Sequence, residues 1–241
     1  MPGASYDDPR DGFLGLTGQG FTTERPVSYR GNRPATPSAP RTEEISLTKS
    51  IPKNLDASYF SDATRAVVAE VDRVSAAVHS AAWVRAGALL LKAPAVFTIG
   101  TGRSGLALQM AAMRFMHLGL PTHVVGEVTA PAIGPRDVLV AASGSGSTRR
   151  VVRAAQTARD QGADVIALTT APESALAEVA TEVLIIPAAD KQDFDGNTSV
   201  QYAGSLFEQS VLLTTDALFH TLWQTSGTQA RELWRLHANL E

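Results

Sequence analysis

The sequence predicts an α/β fold built on a doubly wound, five-stranded parallel sheet, preceded by a disordered N-terminal extension. Five short apolar segments alternate with segments of helical periodicity, the pattern of strands that are covered by helices on both faces. With 241 residues, 44% of them hydrophobic, the chain is long enough to bury one sizeable core. The extension is predicted at residues 1–50 and the folded domain at residues 51–241.

The extension is predicted from its proline content. Seven of the thirteen prolines fall within the first 52 residues, and no sustained apolar period separates them. An apolar island runs from Phe13 to Leu16 and is the candidate docking segment for a partner. The alternative is that these apolar side chains bind nothing specific.

Composition excludes several classes of protein. A net charge of −3 indicates no nucleic-acid surface, and no apolar run reaches the length of a membrane span. The absence of cysteine excludes disulfides and thiolate metal sites. The first ten residues, MPGASYDDPR, lack the basic-then-apolar pattern of a secretory signal, so a cytoplasmic protein is expected.

The domain is predicted to start with two helices, the first with Ser61 and Asp62 as an N-cap pair. A strand at 95–99 then leads into a helix that carries Leu106, Met110, Met113 and Met116 and ends at Gly119. The remaining elements are, in order, strand 123–125, strand 138–142, a helix to residue 162, strand 164–168, helix 174–179, strand 182–186, a loop at 187–203, helix 204–225 and a helical tail.

Right-handed crossovers limit such a chain to a flavodoxin-like strand order, 2-1-3-4-5. In that order strands 1 and 3 are neighbours, and ligands bind in the crevice beyond their carboxyl ends. The loops that leave these two strands are residues 100–105 (GTGRSG), here called the glycine loop, and residues 143–148 (SGSGST), the hydroxyl loop. Both loops are therefore expected at one pocket.

The hydroxyl loop is predicted to hold a phosphate. It carries four hydroxyls in six residues, and the helix that follows begins with unpaired N–H groups and a dipole that favours an anion. The alternative is a flexible turn in which Thr148 serves as an N-cap. The hydroxyl-bearing candidates are Ser143, Ser145, Ser147 and Thr148.

The glycine loop matches the dinucleotide pattern G-x-G-x-x-G, and Glu127 lies 22 residues beyond Gly105, near the place of the ribose-binding acidic residue. A lone match of this kind is weak. Arg103 and Ser104 place a guanidinium and a hydroxyl inside the turn, and a nicotinamide enzyme does not need a second, hydroxyl-rich loop. A sugar phosphate is therefore the preferred ligand.

Three segments carry a resemblance to a known family: GTGRSGLALQMAAMRFMHLGLPTHVVGEVTAPAI, DVLVAASGSGST and GSLFEQSVLLTTDAL. Over about residues 60 to 225 the chain resembles the sugar isomerase (SIS) domain, in its 6-phospho-3-hexuloisomerase branch. The resemblance implies a flavodoxin-like fold, homotetramers or homodimers and no cofactor. It also implies interconversion of hex-3-ulose 6-phosphate and fructose 6-phosphate, a step of formaldehyde fixation through ribulose monophosphate.

The chain departs from the family pattern at two places. Ser147 stands where the family usually has Glu, and Tyr202, Ala203 and Gly204 stand where it has Pro-Met-Gly or a similar lead-in. The first departure leaves phosphate binding intact, and the second bears on the choice of substrate. The N-terminal extension has no counterpart in the family pattern.

Moving a ketone from C3 to C2 needs a base that carries one proton between these carbons. Glu208, at the start of the last long helix, is the candidate base, and it matches the glutamate of the family's LFE motif. From the sequence alone, an acidic residue that complements a helix N-terminus is an equal explanation. His117 is the second candidate through its MHLG match; it would act in a neighbouring subunit's pocket, or else it caps its helix.

The other candidates contact substrate. Gly102 is assigned to substrate or phosphate binding. Arg103 and Ser104 are assigned to the sugar hydroxyls or the carbonyl oxygen, and Glu127 to a hydroxyl, to Arg103 or to an ordinary surface role. The histidines show no metal-like spacing with carboxylates, so no metal is expected. Two further functions stay open: another SIS isomerase acting on a pentose or heptose phosphate, and a non-catalytic phosphosugar-sensing module.

Overall fold

A parallel sheet of order β2-β1-β3-β4-β5 lies at the centre of the computed structural model, which describes residues 56–189 and 198–240. The predicted strand order is confirmed, and the predicted N-terminal extension lies outside the described residues. The strands are β1 Val96–Ile99, β2 Thr122–Val124, β3 Val138–Ala142, β4 Asp164–Thr169 and β5 Glu182–Ile185.

Helices cover both faces of the sheet. On one face lie α1 Ala57–Ala77, α2 Ser80–Lys92, α3 Gly102–His117 and α6 Ser205–Ser226. On the other face lie α4 Arg149–Asp160 and α5 Ala175–Glu178, and each group has its own cluster of buried side chains. The last described helix is α7 Ala230–Trp234.

The central strands are mostly apolar because both of their faces are buried. In β3, Val138 and Val140 point towards α3 and α6, whereas Leu139 and Ala141 point towards α4. All of these side chains are at most 3% exposed. This two-sided burial explains why the strands read as continuous apolar runs rather than as alternating patterns.

The first helix starts earlier than predicted. Its N-cap is Asp56, whose side chain accepts a hydrogen bond from the Ser58 N–H at 2.8 Å. The expected N-cap pair lies inside the helix, where Ser61 donates to the carbonyl of Ala57 and Asp62 pairs with Arg65. The prediction of Ser61 and Asp62 as caps is therefore wrong, since an equally good cap stands five residues upstream.

The third helix buries small side chains and leaves several large apolar ones exposed. Leu106, Met110 and Met113 are 60%, 49% and 46% exposed, and the buried face is rich in alanine. Small side chains such as Ala107 and Ala111 let α3 approach α6 and the sheet closely, which larger residues would prevent. Leu106, Met110 and Met113 thus lie on the outer face of the helix.

The amino ends of the central strands are held by Asp137, which is 9% exposed. Its carboxylate accepts hydrogen bonds from the backbone N–H groups of Ala95 at 3.1 Å and Gly134 at 2.7 Å. Its own carbonyl accepts from the N–H of Asp164 at 2.8 Å. One residue thus ties the starts of β1, β3 and β4 together at the edge opposite the predicted crevice.

Within the described ranges, no single helix is both long and apolar enough to cross a membrane. The pair α1 and α2, bent by 78°, passes that test by length and composition only.

Candidate active site

The hydroxyl loop lies at the carboxyl end of β3 with its hydroxyls already paired. The Ser143 and Thr148 hydroxyls are 2.8 Å apart, and the Ser147 hydroxyl donates to Ser145 Oγ at 2.9 Å. The loop is fixed from beneath because Thr169 and Thr170 both donate to the carbonyl of Gly144, each at 2.9 Å. These hydroxyls therefore form a preorganised set of donors above a rigid base.

The start of α4 points into the same space. Thr148 occupies its N-cap position, but the Thr148 side chain makes no capping hydrogen bond, since it pairs with Ser143. Among the described residues, the backbone N–H groups of Ser145 and Thr148 have no hydrogen-bond partner. The alternative of a simple N-cap is therefore not what the structure shows. Free N–H groups at a helix start favour an anion.

Gly146 gives the loop its shape. Its φ of 60° lies in the left-handed region, and its carbonyl accepts from the N–H of Leu176 at 2.9 Å. A Cβ at this position would overlap the side chain of Ser174, the N-cap of α5. Only glycine meets both requirements, so the sequence of the loop is dictated by close packing as well as by backbone conformation.

Arg103 and Glu208 meet across the crevice, although 105 positions separate them in the chain. The Nε of Arg103 donates to Glu208 Oε2 at 2.5 Å. The Glu208 side chain is 8% exposed and the Arg103 side chain 63% exposed. The pair therefore presents a shielded carboxylate beside a guanidinium that solvent or a ligand can reach.

The first turn of α6 completes the crevice against the hydroxyl loop. A Cβ built on Gly144 would lie 3.4 Å from Cδ1 of Phe207, the neighbour of Glu208. Gly102 begins α3 with φ 58°, and Ser104, one residue beyond Arg103, is 3% exposed. The structure thus brings Gly102, Arg103, Ser104, Glu208 and the hydroxyl loop together, and the strand order predicts this for the two loops.

Glu127 lies elsewhere. It lines a cavity of about 430 Å³ with Arg150 and Arg153, on the face of the sheet that α4 covers. Arg103 Nε is paired with Glu208, and a role for Glu127 at Arg103 or at a substrate hydroxyl stays a prediction. The β2–β3 connection has no helix, and this leaves the cavity beneath it partly uncovered.

His117 is also outside the crevice of its own chain. It is the last residue of α3, so roughly 20 Å of helix separates it from Arg103. Its ring is buried and stacks on His237, with 5.0 Å between the ring centroids. A role for His117 in a neighbouring subunit's pocket stays a prediction.

The stability that His117 contributes to the folded protein is expected to be lost as the pH falls below its ordinary pKa of 6.5. Burial, and then the charges of His237 and Arg114, hold the pKa of His117 below its ordinary value of 6.5. Below about pH 6.5 the unfolded chain therefore binds more protons than the folded chain. The contribution of His117 is fully present above that pH and is lost as the pH falls towards the folded pKa, which calorimetry across this range measures.

Two variants isolate this effect. His117→Gln is expected to flatten the dependence of Tm on pH, because it removes the titrating ring. His79→Gln, at the exposed N-cap of α2, is the matched control and is expected to keep the native dependence. An unchanged dependence in His117→Gln would show that another group is responsible.

Sequence reasoning missed Arg150. Its guanidinium lies beside Gly126, where a Cβ would come within 2.6 Å of Arg150 Nη2. It also reaches a small cavity that contains the buried Thr98 hydroxyl, which has no hydrogen-bond partner among the described residues. The only signal in the sequence is a pair of arginines directly after the hydroxyl loop.

The described residues contain no group of three or more side chains suited to hold a metal ion.

Fold and crevice together define an α/β protein with a crevice of hydroxyls and unpaired N–H groups at the switch point of a doubly wound sheet. The SIS domain model matches residues 89–213. The chain belongs to the SIS domain family.

Two relatives that share one name are similar to this chain over more than half of its length. The chain is 55% identical over 146 residues to the 3-hexulose-6-phosphate isomerase of Mycobacterium gastri, covering 61% of this chain and 73% of that protein. It is 37% identical over 153 residues to the Bacillus subtilis (strain 168) protein of the same name, covering 63% and 83%. A crystal structure of a Methanococcus jannaschii protein, for which the function of a 3-hexulose-6-phosphate isomerase was inferred, superposes with a TM-score of 0.65 at 24% identity. The superposition covers 75% of this chain and 99% of that protein, and it shows the fold.

Proposed function

We propose that this chain is a ketol isomerase that interconverts D-arabino-hex-3-ulose 6-phosphate and fructose 6-phosphate. The observation that carries the proposal is the shielded Glu208 carboxylate, paired with Arg103 at 2.5 Å, in the crevice that contains the hydroxyl loop. A base and a phosphate site are the two parts that this reaction needs. The relatives named 3-hexulose-6-phosphate isomerase support the choice of substrate.

In the proposed mechanism Glu208 removes the proton from C2 of the 3-ketose. The electrons of that C–H bond form a C2=C3 double bond, and the C3 carbonyl oxygen gains the negative charge of a cis-enediolate. The same carboxylate then returns the proton to C3 while the proton of the C2 hydroxyl moves to the oxygen on C3. The product carries its ketone at C2, and no oxidant or reductant is consumed.

The neighbouring groups supply charge and position. Arg103 is 63% exposed, so its guanidinium can donate to an enediolate oxygen while it still contacts Glu208. The hydroxyl loop and the start of α4 would hold the phosphate at the far end of the substrate. With the phosphate fixed there, the reacting carbons are delivered to the carboxylate in one orientation.

A coupled assay tests the proposal. Hex-3-ulose 6-phosphate is generated enzymatically, and formation of fructose 6-phosphate is followed through its own coupling enzymes. Turnover that depends on this chain is the expected result. Binding of fructose 6-phosphate without turnover would indicate a phosphosugar-sensing module instead, and turnover of a pentose or heptose phosphate alone would indicate a different SIS isomerase.

Removing two hydroxyls from the phosphate site is expected to weaken substrate binding. In the Ser145→Ala, Thr148→Ala double variant, KM should rise at least about tenfold, the effect of losing roughly 1.4 kcal/mol of binding. The change in kcat should be smaller, because Glu208 is untouched. Steady-state kinetics with the same assay measure both constants.

Thr157→Ala is the control for that experiment. Thr157 lies on α4 and is exposed, and its hydroxyl donates to the carbonyl of Arg153 within the same helix. It should leave KM unchanged. An unchanged KM in the double variant would exclude the hydroxyl loop as the phosphate site.

We further propose that the chain assembles into a homodimer or homotetramer. Two apolar features of the described residues support this: the exposed stripe of Leu106, Met110 and Met113 on α3, and a groove of about 510 Å³ between α2 and α6. Assembly would also be required for His117 to serve a second copy's crevice.

Placement in the ribulose monophosphate route of formaldehyde fixation follows from the proposed substrate pair.

A further inference from the structure

Glu70, on α1, is nearly enclosed although it belongs to a helix whose other carboxylates face solvent. Its side chain is 12% exposed. Burial alone would raise the pKa of Glu70, but hydrogen bonds from Gln201, the Val200 N–H and Ser199, with nearby Arg73, hold the pKa below its ordinary value. Glu70 is therefore an ionised group held in place by donors.

The donors come from a single turn, residues 199–201, here called the anchor turn. Ser199 Oγ donates to Glu70 Oε2 at 2.8 Å, and the Val200 N–H donates to Oε1 at 2.8 Å. The side-chain amide of Gln201 donates to Oε2 at 3.0 Å. Three donors on one carboxylate fix both the position and the orientation of this turn.

The bonds continue from the anchor turn into α6. A carboxylate only accepts hydrogen bonds, so Gln201 must turn its NH2 group towards Glu70. Its Oε1 then faces the other way and accepts from Gln209 Nε2 at 2.8 Å. Gln209 is the residue directly after Glu208, so Glu70 is linked to the beginning of α6 through two side-chain amides.

The backbone between the anchor turn and α6 needs such support. Ala203 and Gly204 both have positive φ, 41° and 81°, and at the alanine this conformation is sterically strained. The carbonyl of Tyr202 accepts from the Ser205 N–H at 3.1 Å and the Ser205 hydroxyl at 2.7 Å. A strained junction stays in one conformation only when the structure on both sides holds it.

We propose that Glu70 is a positioning residue for Glu208, holding the start of α6 in place through the anchor turn, Gln201 and Gln209. This inference rests on the proposed role of Glu208 as the base. It explains why a buried carboxylate on α1 collects three donors from a segment far away in sequence. It also gives the Gln201–Gln209 contact a purpose beyond stability.

Glu70→Gln tests the inference. The amide keeps the shape of the side chain but turns an NH2 group towards the donors, so at least one hydrogen bond is lost. We expect kcat to fall about tenfold with KM within about twofold, because the phosphate site is untouched. Hydrogen exchange of the amides at 205–212 should become at least about fivefold faster.

Glu182→Gln is the matched control. Glu182 is 13% exposed and accepts two hydrogen bonds from Arg85, at 2.8 and 2.7 Å, between α2 and β5. It should lower Tm to a similar extent while leaving kcat and exchange at 205–212 unchanged. Equal effects of the two variants on kcat would mean that Glu70 contributes only stability, and would overturn the proposal.

A double-variant cycle separates positioning from a general loss of structure. In the Glu208→Gln background, Glu70→Gln should lower kcat no further, since the group that it positions is already absent. An equal fall in both backgrounds would contradict the inference. If Glu70→Gln does not fold, Gln201→Met breaks the link at its middle and should show the same pattern.

The exchange measurement does not depend on the reaction. If Glu208→Gln keeps wild-type turnover, the proposed base is wrong, while exchange at 205–212 still reports whether Glu70 holds the start of α6. Unchanged exchange in both Glu70→Gln and Gln201→Met would overturn the inference, whatever the substrate is.

Discussion

Replacing Glu208 by glutamine is expected to lower kcat by a factor of about a hundred to ten thousand, the usual effect of losing a general base. Glutamine keeps the shape of the side chain and an oxygen that can accept the hydrogen bond from Arg103 Nε. What it loses is basicity. KM should change little, because the phosphate is bound by the hydroxyl loop, and steady-state kinetics in the coupled assay give both constants.

The comparison requires a melting curve for the variant, since an unfolded protein would be inactive for another reason. Near wild-type kcat in a folded Glu208→Gln protein would exclude Glu208 and transfer the search to His117. In heavy water, the native enzyme should place some solvent deuterium in the product, because a carboxylate that carries the proton can exchange it. Complete absence of deuterium would indicate a shielded transfer or a hydride shift.

Gly146→Ala is expected to raise KM by about a hundredfold or more, the equivalent of roughly 3 kcal/mol of binding. A methyl group at Gly146 would overlap the Ser174 side chain, and an alanine at a φ of 60° is itself strained. Relief of the overlap moves the loop, and its hydroxyls and N–H groups then no longer converge on one point. Kinetics and a Tm measurement follow the two consequences.

Gly119→Ala separates strain from overlap. Gly119 also has a positive φ, 82°, but a Cβ there would meet nothing within 4 Å. It should cost about 1 kcal/mol of stability and leave KM unchanged. If Gly146→Ala behaved in the same way, the packing of the loop against Ser174 would have no part in binding.

The sheet was predictable because its signals are local. Most strands are short apolar runs that end at glycine or small polar residues, and the parallel connections leave few orders to choose from. The face of α3 was not predictable in this way. Periodicity favours large apolar side chains, whereas α3 buries alanines and exposes Leu106 and Met110 because close contact with α6 requires small residues.

The candidate site was likewise predictable only where its residues are contiguous in the sequence. The hydroxyl loop is a contiguous motif, so its chemistry can be read from six residues. The Arg103–Glu208 pair joins residues 105 positions apart, and spacing in the sequence carries no information about that contact. Glu70 gave no signal, because a glutamate on an amphipathic helix is ordinarily solvated, and only the fold shows that Ser199, Val200 and Gln201 enclose it.

The position of Asp137 has a consequence for how this protein can change over evolutionary time. The residue fastens the starts of three strands at the edge of the sheet away from the crevice, through bonds to Ala95, Gly134 and Asp164. The fold is thus secured by groups that never meet substrate. At the opposite edge, positions of the two loops that packing does not dictate, unlike Gly146, can exchange residues, and with them substrate preference, without dismantling the sheet that presents them.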